Sequence, residues 1–143
     1  MAAIKHLFHI NAPKDKVYEA LTTITGLSNW WTKQTTGNTD TGGVIHFRFG
    51  EFGNDMKVTA MKPNESVSWE CVDGSPDWVG TKINFLLDTN DGKTRVRFEH
   101  ADWKEANDFF AGCSFSWARY MESLRQFCQT GRSEAFGSDG YRI

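Results

Sequence analysis

His100 is the residue of this sequence best placed for acid–base chemistry. Val96 and Phe98 alternate with charged residues and predict a strand, and His100 continues the apolar face of that strand. A titratable ring on an apolar face needs a hydrogen-bond partner. Tyr120 or a carboxylate such as Asp102 can complete a general acid–base pair with it. A structural histidine with satisfied hydrogen bonds is the commoner outcome, and the sequence leaves both interpretations open.

No other pattern completes a catalytic or metal centre. His6 shares a strand face with Phe8 and Ile10, so the argument for His100 applies to it more weakly. The four histidines lack the spacing of metal ligands, and a nucleophile elbow and a Cys-His-Asn signature are both missing. The glycines on either side of Glu51 indicate a hairpin tip, not a phosphate loop. The residues therefore predict no metal and no cofactor, and they leave enzymatic activity without a supporting motif.

Composition favours one globular domain. A chain of 143 residues with 39% hydrophobic content can bury about 70% of the surface of its unfolded state. The net charge is -2 and no run of lysine and arginine interrupts the sequence, so we expect no nucleic-acid partner. Six tryptophans, eleven phenylalanines and three tyrosines make up 14% of the residues, which fits either an aromatic core or a ring-lined binding site.

Several features favour a cytoplasmic location. The sequence contains an odd number of cysteines, namely Cys71, Cys113 and Cys128. Each falls on the apolar side of its local pattern, which is typical of buried, reduced thiols. The N-terminus lacks the apolar segment of a secretory signal. No apolar run of about 20 residues exists, so the sequence predicts no membrane span.

A long amphipathic helix dominates the C-terminal part of the sequence. Apolar residues recur there at steps of three and four before Gly131, namely at Phe110, Cys113, Trp117, Tyr120, Met121, Leu124, Phe127 and Cys128. This spacing places them on one helix face, which must pack against another apolar surface.

The elements before this helix supply that surface. Residues 4–10 alternate as a strand, Pro13 begins a short helix, and residues 24–31 predict a second one interrupted by Gly26. Its adjacent Trp30 and Trp31 diverge by about 100 degrees on a helix and cannot point inward equally. Five or six antiparallel strands follow from residue 42 onward. After Gly131 the periodicity is lost, so we expect residues 132–143 to form a loosely held tail.

Taken together, these elements resemble a known family. The chain is similar to the START-like (SRPBCC, Bet v 1-like) superfamily in four parts. These are the pattern from Ala12 to Thr22, the segment from Leu27 to Trp31, the strands, and the helix from Trp117 to Leu124 that ends at Gly131. The greatest resemblance is to its AHSA-type branch, named for the activator of the heat-shock protein 90 ATPase. It covers residues 4–131 and implies one α+β domain, residues 1–131, with a helix-grip fold. In that fold a curved seven-stranded antiparallel sheet wraps the C-terminal helix, and two short helices follow the first strand.

Members of this superfamily hold lipids, sterols, polyketides or other apolar molecules in a cavity between sheet and helix. The resemblance therefore implies that this chain binds a small apolar ligand. Packing of the sheet against the helix is the simpler explanation for many of its apolar positions, and we expect the Cys113–Tyr120 part of the helix to face the ligand. The predicted cavity-facing residues are Trp30, Phe47, Phe49, Met56, Val58, Trp69, Phe85, Phe98, His100, Trp117 and Tyr120.

Two alternatives remain at this stage. The first is a protein-interaction module that stimulates a chaperone ATPase, as the name of the branch suggests. The eukaryotic activators carry a separate N-terminal domain for which 143 residues leave no room, so this role has less support. The second is a cyclase or hydrolase working in the same cavity, which requires His100 to face the ligand with a displaced pKa or a specific partner.

Overall fold

One curved antiparallel sheet and three helices form the computed structural model, which describes residues 1–142. The strands pair in the order β1-β7-β6-β5-β4-β3-β2, so β1 and β2 are the two edges. This arrangement confirms the predicted α+β helix-grip fold with seven strands. In chain order the elements are β1 (Ala2–Ile10), α1 (Lys14–Thr22), α2 (Ile24–Trp30), β2 (Gln34–Gly37), β3 (Val44–Phe49), β4 (Phe52–Lys62), β5 (Ser66–Asp73), β6 (Lys82–Asn90), β7 (Lys93–Trp103) and α3 (Asp108–Thr130).

The helix α3 ends at the glycine that the sequence indicates, and a polar cap begins it. Asn107 caps its first turn, since its side-chain oxygen accepts a hydrogen bond from the backbone N–H of Phe110 at 2.9 Å. Gly131 ends the helix in the left-handed conformation, at φ 76°. The apolar stripe of α3 and the inner face of the sheet belong to one core cluster, and α1 and α2 complete it. The alternating strands and the helical stripe thus bury each other.

Three local features differ from the sequence prediction. Gly26 lies inside α2 and does not interrupt it: a Cβ atom there would lie 2.6 Å from the Cα of Ala20, so the glycine lets α2 approach α1 closely. Trp30 and Trp31 are both buried, because the helix ends at Trp30 and their rings stack at 8° with centroids 5.8 Å apart. The short edge strand β2 was not predicted, since Thr35 is its one buried residue and no alternation marks it.

The segment that follows α3 returns to the first helices. It has no regular helix or strand through residue 142, but Phe136 forms a bridge with the chain after α2. The backbone N–H of Phe136 donates to the carbonyl of Trp31, and the N–H of Lys33 donates to the carbonyl of Phe136, each at 2.9 Å. The side chain of Ala135 is fully buried. The tail is therefore tied to the domain by contacts that its aperiodic sequence does not reveal.

Candidate functional site

A cleft of about 850 Å³ opens at one end of the interface between the sheet and α3. Three structural parts enclose it: the N-terminal half of α3, the tip of the β3–β4 hairpin, and the loop between β5 and β6. Helix α2 contributes the residue that follows its last turn. The lining residues are Trp31, Arg48, Phe49, Glu51, Phe52, Gly53, Asn54, Asp73, Gly74, Ser75, Trp78, Phe109, Cys113, Ser116, Trp117 and Tyr120.

Aromatic rings form the floor and the rim of the cleft. Trp31 and Trp117 are each 2% exposed, and their ring centroids lie 4.9 Å apart. Trp78 stacks on Trp117 at 6.0 Å and 16°. Phe52 and Phe109 stand at the rim and are 79% and 46% exposed. Exposed phenylalanines beside a buried ring surface are typical of a site that covers an apolar molecule.

Three buried polar atoms of lining residues have no hydrogen-bond partner within residues 1–142. They are the amide oxygen of Asn54, a residue that is 7% exposed, the hydroxyl of Ser75 and the indole N–H of Trp78. Leaving a buried polar group unpaired costs about 1–3 kcal/mol. All three residues line the cleft, so these unpaired groups lie close to the space that a ligand would fill.

Charge at the cleft is negative. Arg48 donates to Asp55 at 2.8 Å and to the carbonyl of Asn54 at 3.2 Å. Burial raises the pKa of Asp55, but hydrogen bonds from His46 and Arg48 more than offset this effect, so its pKa is lowered and the carboxylate stays charged. The positive charge of Arg48 is therefore balanced. The lining also contains the exposed carboxylates of Glu51 and Asp73.

His100 lies in the core beside the cleft. The indole N–H of Trp117 donates to its Nδ1 at 3.0 Å, and its Nε2 lies 2.7 Å from the hydroxyl oxygen of Thr81. That hydroxyl donates to the carbonyl of Trp78, so Nε2 carries the proton and donates to Thr81. Burial lowers the pKa of His100 to about 3. The ring is neutral with both nitrogens satisfied, and the cyclase or hydrolase alternative finds no candidate base in it.

Cys113 and Tyr120 of the lining are also neutral at ordinary pH. Burial raises the pKa of the Cys113 thiol. Burial likewise raises the pKa of Tyr120, and the neighbouring phenol of Tyr141 adds to this effect. Within residues 1–142 no cluster of three or more His, Cys, Asp or Glu side chains could hold a metal ion. The cleft thus offers a ligand apolar surface and hydrogen-bonding groups, and the Cys113 thiol in its lining is not a reactive thiolate.

The predicted cavity-facing residues divide into two groups. Phe49, Trp117 and Tyr120 line the cleft. The others are buried in the core outside its lining, where Trp69, Phe85 and Phe98 form a chain of rings with centroid distances of 5.3 and 5.2 Å. A ligand-binding role for any of these side chains stays a prediction. This second group consists of Trp30, Phe47, Met56, Val58, Trp69, Phe85, Phe98 and His100.

Several residues of the lining have no clear signal in the sequence. Trp78 follows Pro76 in a loop without periodicity, and a large apolar ring in such a loop was the available signal. Phe52 and Asn54 were assigned to a hairpin tip, where the polar pattern gives no hint of burial for Asn54. The prediction chose Trp30 and not Trp31 as the cavity-facing tryptophan, whereas Trp31 is the one that lines the cleft.

Comparisons with known proteins give one clear family match. Residues 11–129 match the family model described as Activator of Hsp90 ATPase homolog 1-like protein. The solution structure of the Aha1 dimer from Colwellia psychrerythraea is similar over 93% of this chain and 100% of that one, with 41% identity and a TM-score of 0.86. No curated protein sequence matches the chain. In the described range of 142 residues, no helix is long and apolar enough to cross a membrane.

More distant structures share the fold alone. Protein BH1534 from Bacillus halodurans is 24% identical, covers 90% of this chain and 98% of its own, and has a TM-score of 0.73. Protein MLL2253 from Mesorhizobium loti is 20% identical, covers 87% of this chain and 95% of its own, and has a TM-score of 0.75.

Proposed function

Because this chain belongs to the family of Activator of Hsp90 ATPase homolog 1-like proteins, we propose that it binds one small, largely apolar molecule in the cleft beside α3. The observation that carries this proposal is the cleft itself, with a volume of about 850 Å³ above an aromatic floor. Sites for small molecules have volumes of roughly 300–1,000 Å³, with apolar linings and a few polar groups. The superfamily's use of the space between sheet and helix for apolar ligands supports the same function.

Binding draws on two contributions. A ring lying against the half-buried side chains of Phe49 and Trp78 removes apolar surface from water, which contributes about 25 cal/mol for each Å² buried. Hydrogen bonds to Asn54 and Ser75 fix the orientation of the ligand, because these groups have no partner within residues 1–142. The rim phenylalanines, Phe52 and Phe109, then cover the side of the ligand that faces water.

A matched pair of phenylalanines on α3 tests the proposal. Phe109 lines the cleft, whereas Phe115 is 67% exposed on the same helix and lies outside the lining. Phe109→Ala is expected to weaken binding of 2-(1-naphthyl)ethanol about fivefold, because it removes roughly 1 kcal/mol of apolar contact. Isothermal titration calorimetry or an NMR titration measures this change.

Phe115→Ala serves as the control and is expected to leave the dissociation constant unchanged. Thermal unfolding of both variants shows whether the fold is intact, since the Phe109 ring also packs 5.9 Å from that of Trp103. Equal weakening by both substitutions, or no effect of Phe109→Ala on a folded protein, would place the ligand elsewhere and sink the proposal.

Stimulation of a chaperone ATPase is the second candidate function. It is favoured by the family description and by an exposed feature outside the cleft, the Phe115 ring with the Arg119 guanidinium 5.8 Å from its centroid. Aromatic residues and arginine are enriched at protein interfaces. A pull-down and an ATPase assay with the cognate chaperone separate the two functions, and unchanged turnover removes this one.

A further inference from the structure

The aromatic lining of the cleft is suited to a positive charge. Seven of its side chains are aromatic, and two pairs of their rings are inclined to each other: those of Trp31 and Tyr120 at 69°, and those of Trp31 and Trp117 at 41°. Rings set at such angles form both wall and floor around a bound group. The face of an aromatic ring attracts a cation within about 6 Å of its centroid, with tryptophan the strongest partner.

Charge in the lining favours the same sign of ligand. Arg48 is the lone basic residue of the lining and is paired with Asp55 at 2.8 Å. Glu51 and Asp73 form no ion pair with any group in the described part of the chain, residues 1–142. Two carboxylates beside a surface of low polarity attract a cation and repel an anion.

Asn54 supplies an independent observation. Asn54 is a lining residue that is 7% exposed, and its buried amide oxygen accepts no hydrogen bond from residues 1–142. An ammonium N–H donates to an amide oxygen in a charge-assisted bond, which is stronger than a bond between neutral groups. A ligand with a protonated amine therefore supplies the donor that the oxygen of Asn54 lacks.

From these observations we propose that the ligand of this cleft is an organic cation, with an aromatic or alicyclic body and a protonated amine. This inference rests on the proposed function, because it names the ligand class of the same cleft. The body of the ligand lies against the half-buried rings of Phe49 and Trp78, and its charged end faces Asn54, Glu51 and Asp73.

Three naphthalene compounds of similar size test the sign of the charge at neutral pH. They are 2-(1-naphthyl)ethylamine, which is a cation, 2-(1-naphthyl)ethanol, which is neutral, and 1-naphthylacetate, which is an anion. The amine is expected to bind at least about fivefold more tightly than the alcohol, and the acetate most weakly. Added salt is expected to reduce the advantage of the amine, because it screens the carboxylates.

Substitutions assign the preference to the cleft. In the double variant Glu51→Gln/Asp73→Asn, the ratio of amine to alcohol affinity is expected to fall toward one. The matched control Asp15→Asn/Glu19→Gln removes two exposed carboxylates of α1, outside the lining, and is expected to keep the ratio of the parent protein. If the ratio of amine to alcohol affinity falls equally in both double variants, the preference for the amine comes from the net charge of the protein and not from the cleft. That result would overturn the proposal.

NMR spectra of the indole N–H groups separate the two possible failures. If amine and alcohol bind equally while the signals of Trp31, Trp78 and Trp117 shift, the cation preference is wrong and ligand binding in the cleft stands. If none of the three compounds shifts those signals, both proposals fall. The indoles of Trp30 and Trp69, which are buried outside the lining, serve as internal references.

Discussion

Trp117→Ala is expected to lower the free energy of unfolding by about 4 kcal/mol, one of the largest effects of any single substitution in this protein. The Trp117 ring is 2% exposed, and its centroid lies 4.6 Å from that of Phe98 and 4.9 Å from that of Trp31. Removing it leaves a large cavity between sheet and helix. It also leaves Nδ1 of His100 without the N–H that it accepts.

Two further variants isolate these contributions in urea unfolding experiments. Trp117→Phe keeps an aromatic ring and loses the N–H, so we expect a smaller loss of about 2 kcal/mol, mostly from the unpaired His100 nitrogen. Phe115→Ala, an exposed change on the same helix, is expected to stay within about 0.5 kcal/mol of the parent protein. A cost for Trp117→Ala no larger than that of Phe115→Ala would show that the ring is not an anchor of the core.

Acid is expected to destabilise the protein through His100. Burial lowers its pKa in the folded state to about 3, from an ordinary value of 6.5. Between these two values the unfolded chain binds a proton that the folded chain does not, so stability is fully present above pH 6.5 and falls as the pH drops. The slope is about 1.4 kcal/mol per pH unit, so roughly 3 kcal/mol is lost from this group by pH 4.

Urea unfolding at several pH values between 7 and 4 measures this loss. His100→Gln cannot titrate and is expected to lack this part of the pH dependence, whatever its stability at pH 7. The control His9→Gln, which changes an exposed bond to Asn90, is expected to keep it. In the parent protein, NMR should find the His100 ring neutral and protonated at Nε2 down to about pH 4. A ring that titrates near pH 6.5 in the folded protein would contradict the account.

Much of the fold could be predicted from periodicity. The apolar stripe from Phe110 to Cys128, followed by Gly131, predicts the helix α3. The alternation of apolar and polar residues predicts strands that form a sheet with one apolar face. The number of strands and the helix-grip arrangement came from resemblance, because alternation does not specify which strands pair. The strand β2 was missed, since four residues with a single buried threonine have no period to detect.

The cleft was harder to predict than the fold for a physical reason. Inward-facing rings such as Trp69 and Phe85 obey the same alternation whether they pack together or surround a ligand. Only the side-chain packing shows that they fill the space between sheet and helix and that the opening lies at its end. That opening is built from Trp78 in a loop, Asn54 after a hairpin tip and Trp31 beyond a helix end, positions at which periodicity carries no information.

The most direct test of ligand binding in the cleft is a set of intermolecular NOE measurements on the protein saturated with 2-(1-naphthyl)ethanol, whose binding does not depend on charge. The account predicts NOEs from the naphthyl protons to the rings of Trp31, Trp78 and Tyr120, which line the cleft. NOEs confined to exposed side chains of the sheet, such as Leu7 and Leu86, would contradict it.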